Sequence, residues 1–406
     1  MTQPKQWSSI LNMTKKLQTL YKIDTKGKLR EWTMHIDGAS FYAIKGLVEG
    51  KKTTDKATTT IAKNVGRSNA TTPQEQAQLE AQAKFQKKLD SGYALNEIDA
   101  QKKKFYEPML AHNYTDRKDE VKYPCYSQPK LDGIRCVVRK EGDTLVGRTR
   151  NGKEIECIPH ILKSLNGFFL ANPKAILDGE LYNHDLRDNF NKITSLVRKQ
   201  KPVRSASMTD KAFAKKQTEY QDRLAEAEDT IQYHVYDCPK LNDVVNEKQS
   251  FDHRTEDCKE KLTQNKHIIF VETNEVYSLG NLNSLYGQYL EQGYEGQMVR
   301  KSLSSYENKR SKHLLKRKEF IDAEYKVIDI DVGNGNRSGT AKHLVCYCET
   351  TKKTFNSNIK GSFEYLKEIY DNRKDYIGKL ATIKFFQLTP DGIPRFPYAI
   401  GFRDYE

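Results

Sequence analysis

The chain has 406 residues, enough for two or three domains with separate cores, and its 37% hydrophobic and 10% aromatic content argues against disorder. A formal charge of +14 and a pI near 9.1 call for a polyanionic partner, nucleic acid first among them. The seven cysteines (125, 136, 157, 238, 258, 346 and 348) are odd in number and form no Cys-x2-Cys pair, which excludes a disulfide framework and a zinc ribbon. MTQPKQWSSI shows no leader pattern and no stretch approaches bilayer length, so a soluble protein of a reducing compartment is expected, without a membrane partner.

In chain order, residues 1–104 open with alternating segments such as Leu29 to Ile36, which read as a strand. A Thr- and Lys-rich run near 51–60 follows. Pro73 then starts a helical stretch carrying Ala77, Leu79, Ala81, Ala83 and Phe85, ended by Gly92. Residues 1–104 are expected to form a small α+β module. Residues 105–319 mix strands, such as Cys136-Val137-Val138 and Tyr233 to Tyr236, with helical stretches. Their insert-like segment 198–228 is basic at first (Arg198, Lys199, Lys201, Arg204, Lys211, Lys215, Lys216) and then helical in pattern. From 320 to 406 the short strands EYKVIDIDV, HLVCYCET and KLATIKFFQL alternate with Gly- and Asn-rich turns, as a small barrel requires. Cys346 and Cys348, two apart on one strand, are expected to be buried thiols.

The chemistry centres on Lys130-Leu131-Asp132-Gly133-Ile134-Arg135. A lysine is a nucleophile only when neutral, and its free pKa of about 10.4 must be lowered by cations, metal or burial. Tyr126 to Pro129 deliver Lys130 on a strand into a turn where Gly133 lets backbone approach a phosphate. Arg135 lies where it could hold a phosphate. Taken alone this is also a charged surface turn, and what lifts it above that is an ordered series of further short motifs.

Together these motifs resemble the covalent nucleotidyltransferases, the superfamily of DNA ligases, RNA ligases and capping enzymes. Lys130 to Arg135 is similar to the adenylylation motif, which implies Lys130 as catalytic nucleophile. Thr149-Arg150-Asn151-Gly152 resembles the second motif, whose arginine meets ribose and the DNA 5′-phosphate. Leu177-Asp178-Gly179-Glu180-Leu181 resembles the third, whose glutamate binds ribose or metal. Tyr233 to Asp237 resembles the aromatic–Asp motif, placing Tyr236 on the adenine face. Glu295 to Val299 resembles the metal-coordinating motif, and Leu314 to Lys318 the paired-lysine motif, whose Lys316 and Lys318 hold the α-phosphate. Gln128, where the family often has an acid, is assigned an adenine contact.

Arg395-Phe396-Pro397 and Gly401 to Asp404 resemble the last motif of ATP-dependent DNA ligases, in a barrel of the OB type. There Arg403 and Asp404 would orient the leaving pyrophosphate; Tyr405 and Glu406 stand where the family often has a lysine. Pro108 to Ala111 resembles a segment just ahead of the catalytic domain, and the 45–93 stretch faintly resembles a WGR-type DNA-binding module, with Gly66-Arg67 near the expected place. The resemblance implies an α+β chain: an N-terminal module (1–104), a nucleotidyltransferase (ATP-grasp-like) domain (105–319) and an OB-fold β-barrel (320–406). Its implied cofactors are ATP and Mg²⁺, with metal on Glu180 and Glu295, and its partner nicked double-stranded DNA, sealed by a monomer. ATP is favoured over NAD⁺ because no cysteine quartet or nicotinamide-binding segment appears. The pattern looks closest to small bacteriophage ligases, which would place the protein in the host-cell cytoplasm. The alternatives are an RNA ligase of the same superfamily and a non-catalytic DNA-binding protein.

Overall fold

The computed structural model describes residues 15–24, 26–102, 105–204, 208–241 and 249–403. Two compact units emerge. Phe105–Glu319 forms one, and the chain before it joins the chain from Phe320 onward to form the other.

The Phe105–Glu319 unit carries two five-stranded sheets. In the first, the strands run Thr144–Arg148, Ile134–Glu141, Ile176–Tyr182, Gln232–Lys240 and Ile268–Phe270, antiparallel except for the last pair. In the second, the order is Asn274–Val276, Cys125–Lys130, Gly296–Lys301, Arg310–Arg317 and Leu110–Asn113, again with only the last pair parallel. The first sheet holds the larger core. Ile134, Cys136 and Val138 alternate into it, joined by Leu177, Leu181, Tyr233 and Val235. Helix Pro159–Ala171 covers that core with Ile161, Leu165 and Phe169, the spacing of one helical face. Ile161 and Leu165 are fully buried, contributing about 2 kcal/mol apiece. The insert begins outside regular structure and becomes helix Asp210–Thr230, which buries only Tyr220 and Ala227.

The turn Leu131-Asp132-Gly133 passes from one sheet to the other, between Cys125–Lys130 and Ile134–Glu141. Gly133 is required there by the neighbouring strand: a Cβ would stand 2.3 Å from the Leu181 carbonyl oxygen and 2.7 Å from Glu180 Cγ. The close approach is to the neighbouring strand, which pins the turn on Glu180.

In the other unit, described residues up to 102 form a six-stranded antiparallel sheet, with Leu29–Asp37 and Ser40–Leu47 at its centre. Helix Pro73–Asp90 starts with a Thr72–Glu75 capping box and packs Ala77 and Ala81 against Leu20, Trp32, Met34 and Phe41. Leu79, counted among the apolar positions of that helix, is 57% exposed, because residues two apart on a helix face different ways. From Phe320 on, five strands close into a barrel in the order Ile321–Val332, Ala341–Cys348, Lys353–Ile359, Tyr398–Arg403, Leu380–Phe385. Cys346 and Cys348 are buried there, and burial raises the Cys346 thiol to about 12. Helix Phe363–Asp371, which the strand pattern did not suggest, lies in the chain between the barrel strands Lys353–Ile359 and Leu380–Phe385.

The N-terminal module and barrel are stitched at one loop. Lys56 N–H donates to Asn336 Oδ1 (2.7 Å), Asn336 Nδ2 to Asp55 Oδ1 (2.9 Å) and Asn334 Nδ2 to the Thr59 carbonyl (2.8 Å). All seven cysteines are free and buried. Among the described residues, no helix is long and apolar enough to cross a membrane.

Candidate active site

Strand pairing explains why motifs far apart in sequence meet. In the second sheet, Gly296 is registered against Lys130 and Gln297 against Arg317, so the Glu295 strand lies between the two lysine-bearing strands. The Glu295 N–H donates to the Lys130 carbonyl (3.0 Å), fixing the acid beside the Lys130 backbone. Gly296, at φ +151°, sits where a Cβ would be 2.2 Å from the Arg317 carbonyl oxygen, so only glycine allows this approach. In the first sheet, Glu180 is registered between Arg135 and His234, two residues before Tyr236. Each sheet thus supplies three adjacent strands to one site.

Those strands enclose a cavity of about 280 Å³ lying wholly within this unit. Gln128, Lys130, Arg135, Arg150, Glu180, Tyr236, Lys316 and Lys318 all line it. Lys318 follows the strand Arg310–Arg317 rather than belonging to it, yet its side chain still faces the cavity with Lys316. Arg403 belongs to the barrel unit, where its Nε donates to Glu324 (2.8 Å), and Asp404 lies outside the described residues.

The charges are unequal in kind. Glu295 is almost fully buried and receives hydrogen bonds from Lys130 Nζ and, at 3.1 Å, Lys318 Nζ. Burial pushes its carboxyl up, but the two lysines outweigh it and the net pKa is lowered. Glu180 goes the other way: burial raises it to about 7 despite the opposing pull of Arg135 and Lys130. Its Oε2 accepts a long bond from the Tyr236 hydroxyl (3.4 Å). Lys316 is lowered by burial, then by Lys318 and Lys130, so its ammonium gains from an anion in the cavity.

Arg135 is less available to substrate than the motif suggested. Its fork closes on fully buried Asp178, with Nε at 2.8 Å, and Asp178 also accepts from the Tyr306 hydroxyl (2.7 Å). The Arg135 guanidinium carbon lies 5.2 Å from the centre of the Tyr236 ring, and Arg300 flanks the same ring at 5.4 Å. Met298, Arg300, Arg310, Leu110 and Leu314 also line the cavity; Arg300 and Arg310 lay outside every motif, and the other three stood within motifs without a role of their own. A signal existed for two of them: Met298 and Arg300 follow Gly296 at spacings of two on one strand and so share its face.

The comparisons now bear on this geometry. Residues 108–318 match the model of the ATP dependent DNA ligase domain. The chain belongs to the ATP-dependent DNA ligase family. It seals nicks in DNA at the expense of ATP, and the match falls on DNA rather than RNA ligases. This ligase is 27% identical over 393 residues to the DNA ligase of African swine fever virus (isolate Pig/Kenya/KEN-50/1950), covering 90% of this chain and 83% of that one. It is 25% identical over 303 residues to the DNA ligase of Enterobacteria phage T4, covering 67% of this chain and 62% of that one. A solved Lig E DNA ligase superposes with a TM-score of 0.56 at 24% identity, covering 73% of this chain and 99% of that one. The structure Pmar-Lig_PreS3 does so at 0.59 and 22%, covering 80% and 71%. These two likenesses show a shared fold.

Proposed function

We propose that Lys130 attacks the α-phosphorus of ATP, expels pyrophosphate and carries AMP, which then passes to the 5′-phosphate of a DNA nick. The 3′-hydroxyl displaces AMP to complete the seal. All three steps are in-line transfers at phosphorus, where a protein contributes position and charge. The supporting observation is the convergence of Lys130, Lys316, Lys318 and Tyr236 on one cavity. Tyr236 and Met298 take the two faces of adenine, Lys316 and Lys318 hold the α-phosphate, and Arg150, exposed on its turn, meets ribose and the DNA 5′-phosphate.

Glu180 and Glu295 would hold a magnesium ion, a hard cation that takes oxygen donors and keeps several waters. Glu180 faces the cavity, and its pKa raised to about 7 marks a desolvated carboxylate that a divalent cation would hold charged. Glu295 would be the second donor. When bound, Mg²⁺ supplies neutralisation of phosphate charge. In the free protein Glu295 keeps Lys130 paired, so the amine must leave that carboxylate to become a neutral nucleophile.

The barrel is read as an OB fold whose Arg403 and Asp404 orient the leaving pyrophosphate. Its surface interleaves bases and rings, with Lys360 3.5 Å from the Tyr398 ring centre and Arg395 4.9 Å from that of Phe396, a pattern suited to nucleic acid. The N-terminal module adds DNA affinity without chemistry. The protein acts as a monomer in the cytoplasm, in keeping with seven reduced, buried thiols. Incubation with ATP and Mg²⁺ followed by peptide mapping tests the core of this reading: AMP is expected on Lys130, and AMP on any other residue would overturn it.

A further inference from the structure

We infer that the bases on either side of Asp210, from Arg198 to Lys216, form an arm that grips the sugar–phosphate backbone of the duplex flanking the nick. Its place beside the nick rests on the proposal that Arg150 meets the DNA 5′-phosphate.

Between Arg198 and Thr218 stand seven bases and one acid, Asp210, a net charge of +6 (seven minus one). Asp210 is itself paired with Arg204, so it does not neutralise the lysines. Helix Asp210–Thr230 buries only Tyr220 and Ala227, both in its second half. Residues 210–219 bury nothing, which leaves a helical stem about 15 Å long without a core-facing residue. With 3.6 residues per turn, Lys211 and Lys215 lie about 180° and about 140° round the helix from Tyr220, away from the packed face. Lys216 is exposed as well.

Helix stability does not account for this order of charge. A helix favours acids in its first turn and bases in its last. Apart from Asp210 the order here is reversed: Lys211, Lys215 and Lys216 stand in the first two turns, Glu228 and Asp229 in the last, and no base is in the last turn. An external polyanion explains lysines placed against the helix that carries them. The polyanion at hand is the enzyme's own substrate, and lysine, a compact charge on a flexible stem, suits a phosphate backbone held without regard to base sequence.

The arm hangs from the hairpin that carries Arg150. Strand Thr144–Arg148 turns back at Thr149–Gly152, with the Ile155 N–H donating to the Gly147 carbonyl (2.9 Å) and Arg148 bridged to Glu154. Just beyond that pairing, the Glu156 carboxylate accepts the Lys201 N–H and the Cys157 thiol donates to the Lys199 carbonyl (3.0 Å). From the helix, the Tyr220 hydroxyl donates to the Glu156 carbonyl (3.3 Å). Both ends of the arm are thereby tied to residues 156 and 157. The six residues from Arg150 to Glu156 span at most about 20 Å, and each strand of a duplex carries one phosphate per about 3.4 Å of axis. The root of the arm thus lies within about six base pairs of the phosphate that Arg150 meets.

The test uses the full-length protein with Lys211→Gln, Lys215→Gln and Lys216→Gln combined, since glutamine has nearly the helix propensity of lysine. The control removes the same charge from three other exposed lysines of the unit, Lys163→Gln, Lys174→Gln and Lys261→Gln. Binding to a nicked duplex is measured between about 50 and 200 mM salt. The arm variant is expected to bind about tenfold more weakly, with a salt slope shallower by about 0.9 per lost contact, roughly 2–3 in all. KM for nicked DNA should rise in step, while self-adenylylation, which needs no DNA, stays within about twofold and shows that the fold is kept. The control should keep most of the slope. Unchanged affinity and slope in the arm variant would overturn the inference, and so would an equal loss in the control, which would assign the effect to bulk charge. Arg150→Ala separates the two readings: normal sealing by that variant would remove the 5′-phosphate contact and leave the arm's binding to be judged by its own salt slope.

Discussion

Two acid-centred triads lie in the same unit and differ in what they can do. Glu295 sits between Lys130 and Lys318, two residues that line the cavity, and Asp237 sits between Arg254 and Arg300, of which Arg300 lines it. Both acids are buried, but the lysine side chains are about one-fifth exposed while the arginines are at most 4% exposed. Lysine is a compact charge on a flexible stem that can exchange one anion for another and can lose its proton. Arginine is a planar fork that stays charged and binds carboxylates in fixed geometry. The lysine triad is thus suited to release its cations to phosphate, and the arginine triad to hold a wall in place.

The most severe break should come at the nucleophile. Lys130→Arg keeps the charge facing Glu295 but cannot supply a neutral nitrogen, so self-adenylylation should fall about a thousandfold or more with the thermal unfolding midpoint little changed. Breaking the other triad should show the opposite profile. Asp237→Ala leaves two buried guanidiniums uncompensated, and a denaturant titration should register a loss of about 3–5 kcal/mol. Glu295→Gln separates the two kinds of role within one residue. Turnover should drop about a hundredfold, with a smaller stability loss than Asp237→Ala because its lysines can turn to water. If Glu295→Gln proved the more destabilising change, the contrast between the triads would be lost.

A fourth prediction tests the barrel. Arg403→Ala should reduce adenylylation about thirtyfold, yet still seal a nick supplied already adenylylated at its 5′ end. Equal loss in both assays would assign Arg403 to DNA contact or folding. The smallest effect concerns a surface cluster away from the cavity, where Arg148, with Arg139, holds the Glu141 carboxyl down to about 2 from an unfolded 4.5. Because the folded pKa is depressed, this stability is fully present above pH 4.5 and is lost as pH falls through the folded value near 2. Glu141→Gln should therefore cost about 1 kcal/mol at pH 7, discounted for solvent screening, and progressively less as pH falls toward about 2. A penalty that did not change with pH would mean packing, not charge.

Much of the site was legible because each motif is short and local. Lys130 with Asp132-Gly133, Glu295-Gly296 and Lys316 with Lys318 are each a strand end or a tight turn, and such features leave their residue types in the sequence. The partners of those residues were not legible. Nothing in the order of residues says that Arg135 spends its fork on Asp178, 43 positions away, or that Gln128 faces Arg300 across 172. The stitch between Asn336 and Lys56 spans 280 positions and joins segments that carry no motif.

By itself, then, the amino-acid order determined the reaction class and the strand-rich character of the last region and singled out Lys130 as the candidate nucleophile, since these depend on local residue types and on periods of two. Only the tertiary structure decided that the Lys130 to Arg135 motif crosses between two sheets and that Gly133 is required by the Leu181 carbonyl and the Glu180 side chain. It also decided which charged residues keep some exposure and which are buried in fixed pairs. The physical reason is that burial and strand register are properties of distant pairs. A buried carboxylate ends at about 7 or below its ordinary value according to whether the cations brought by other strands outweigh its desolvation, as Glu180 and Glu295 show.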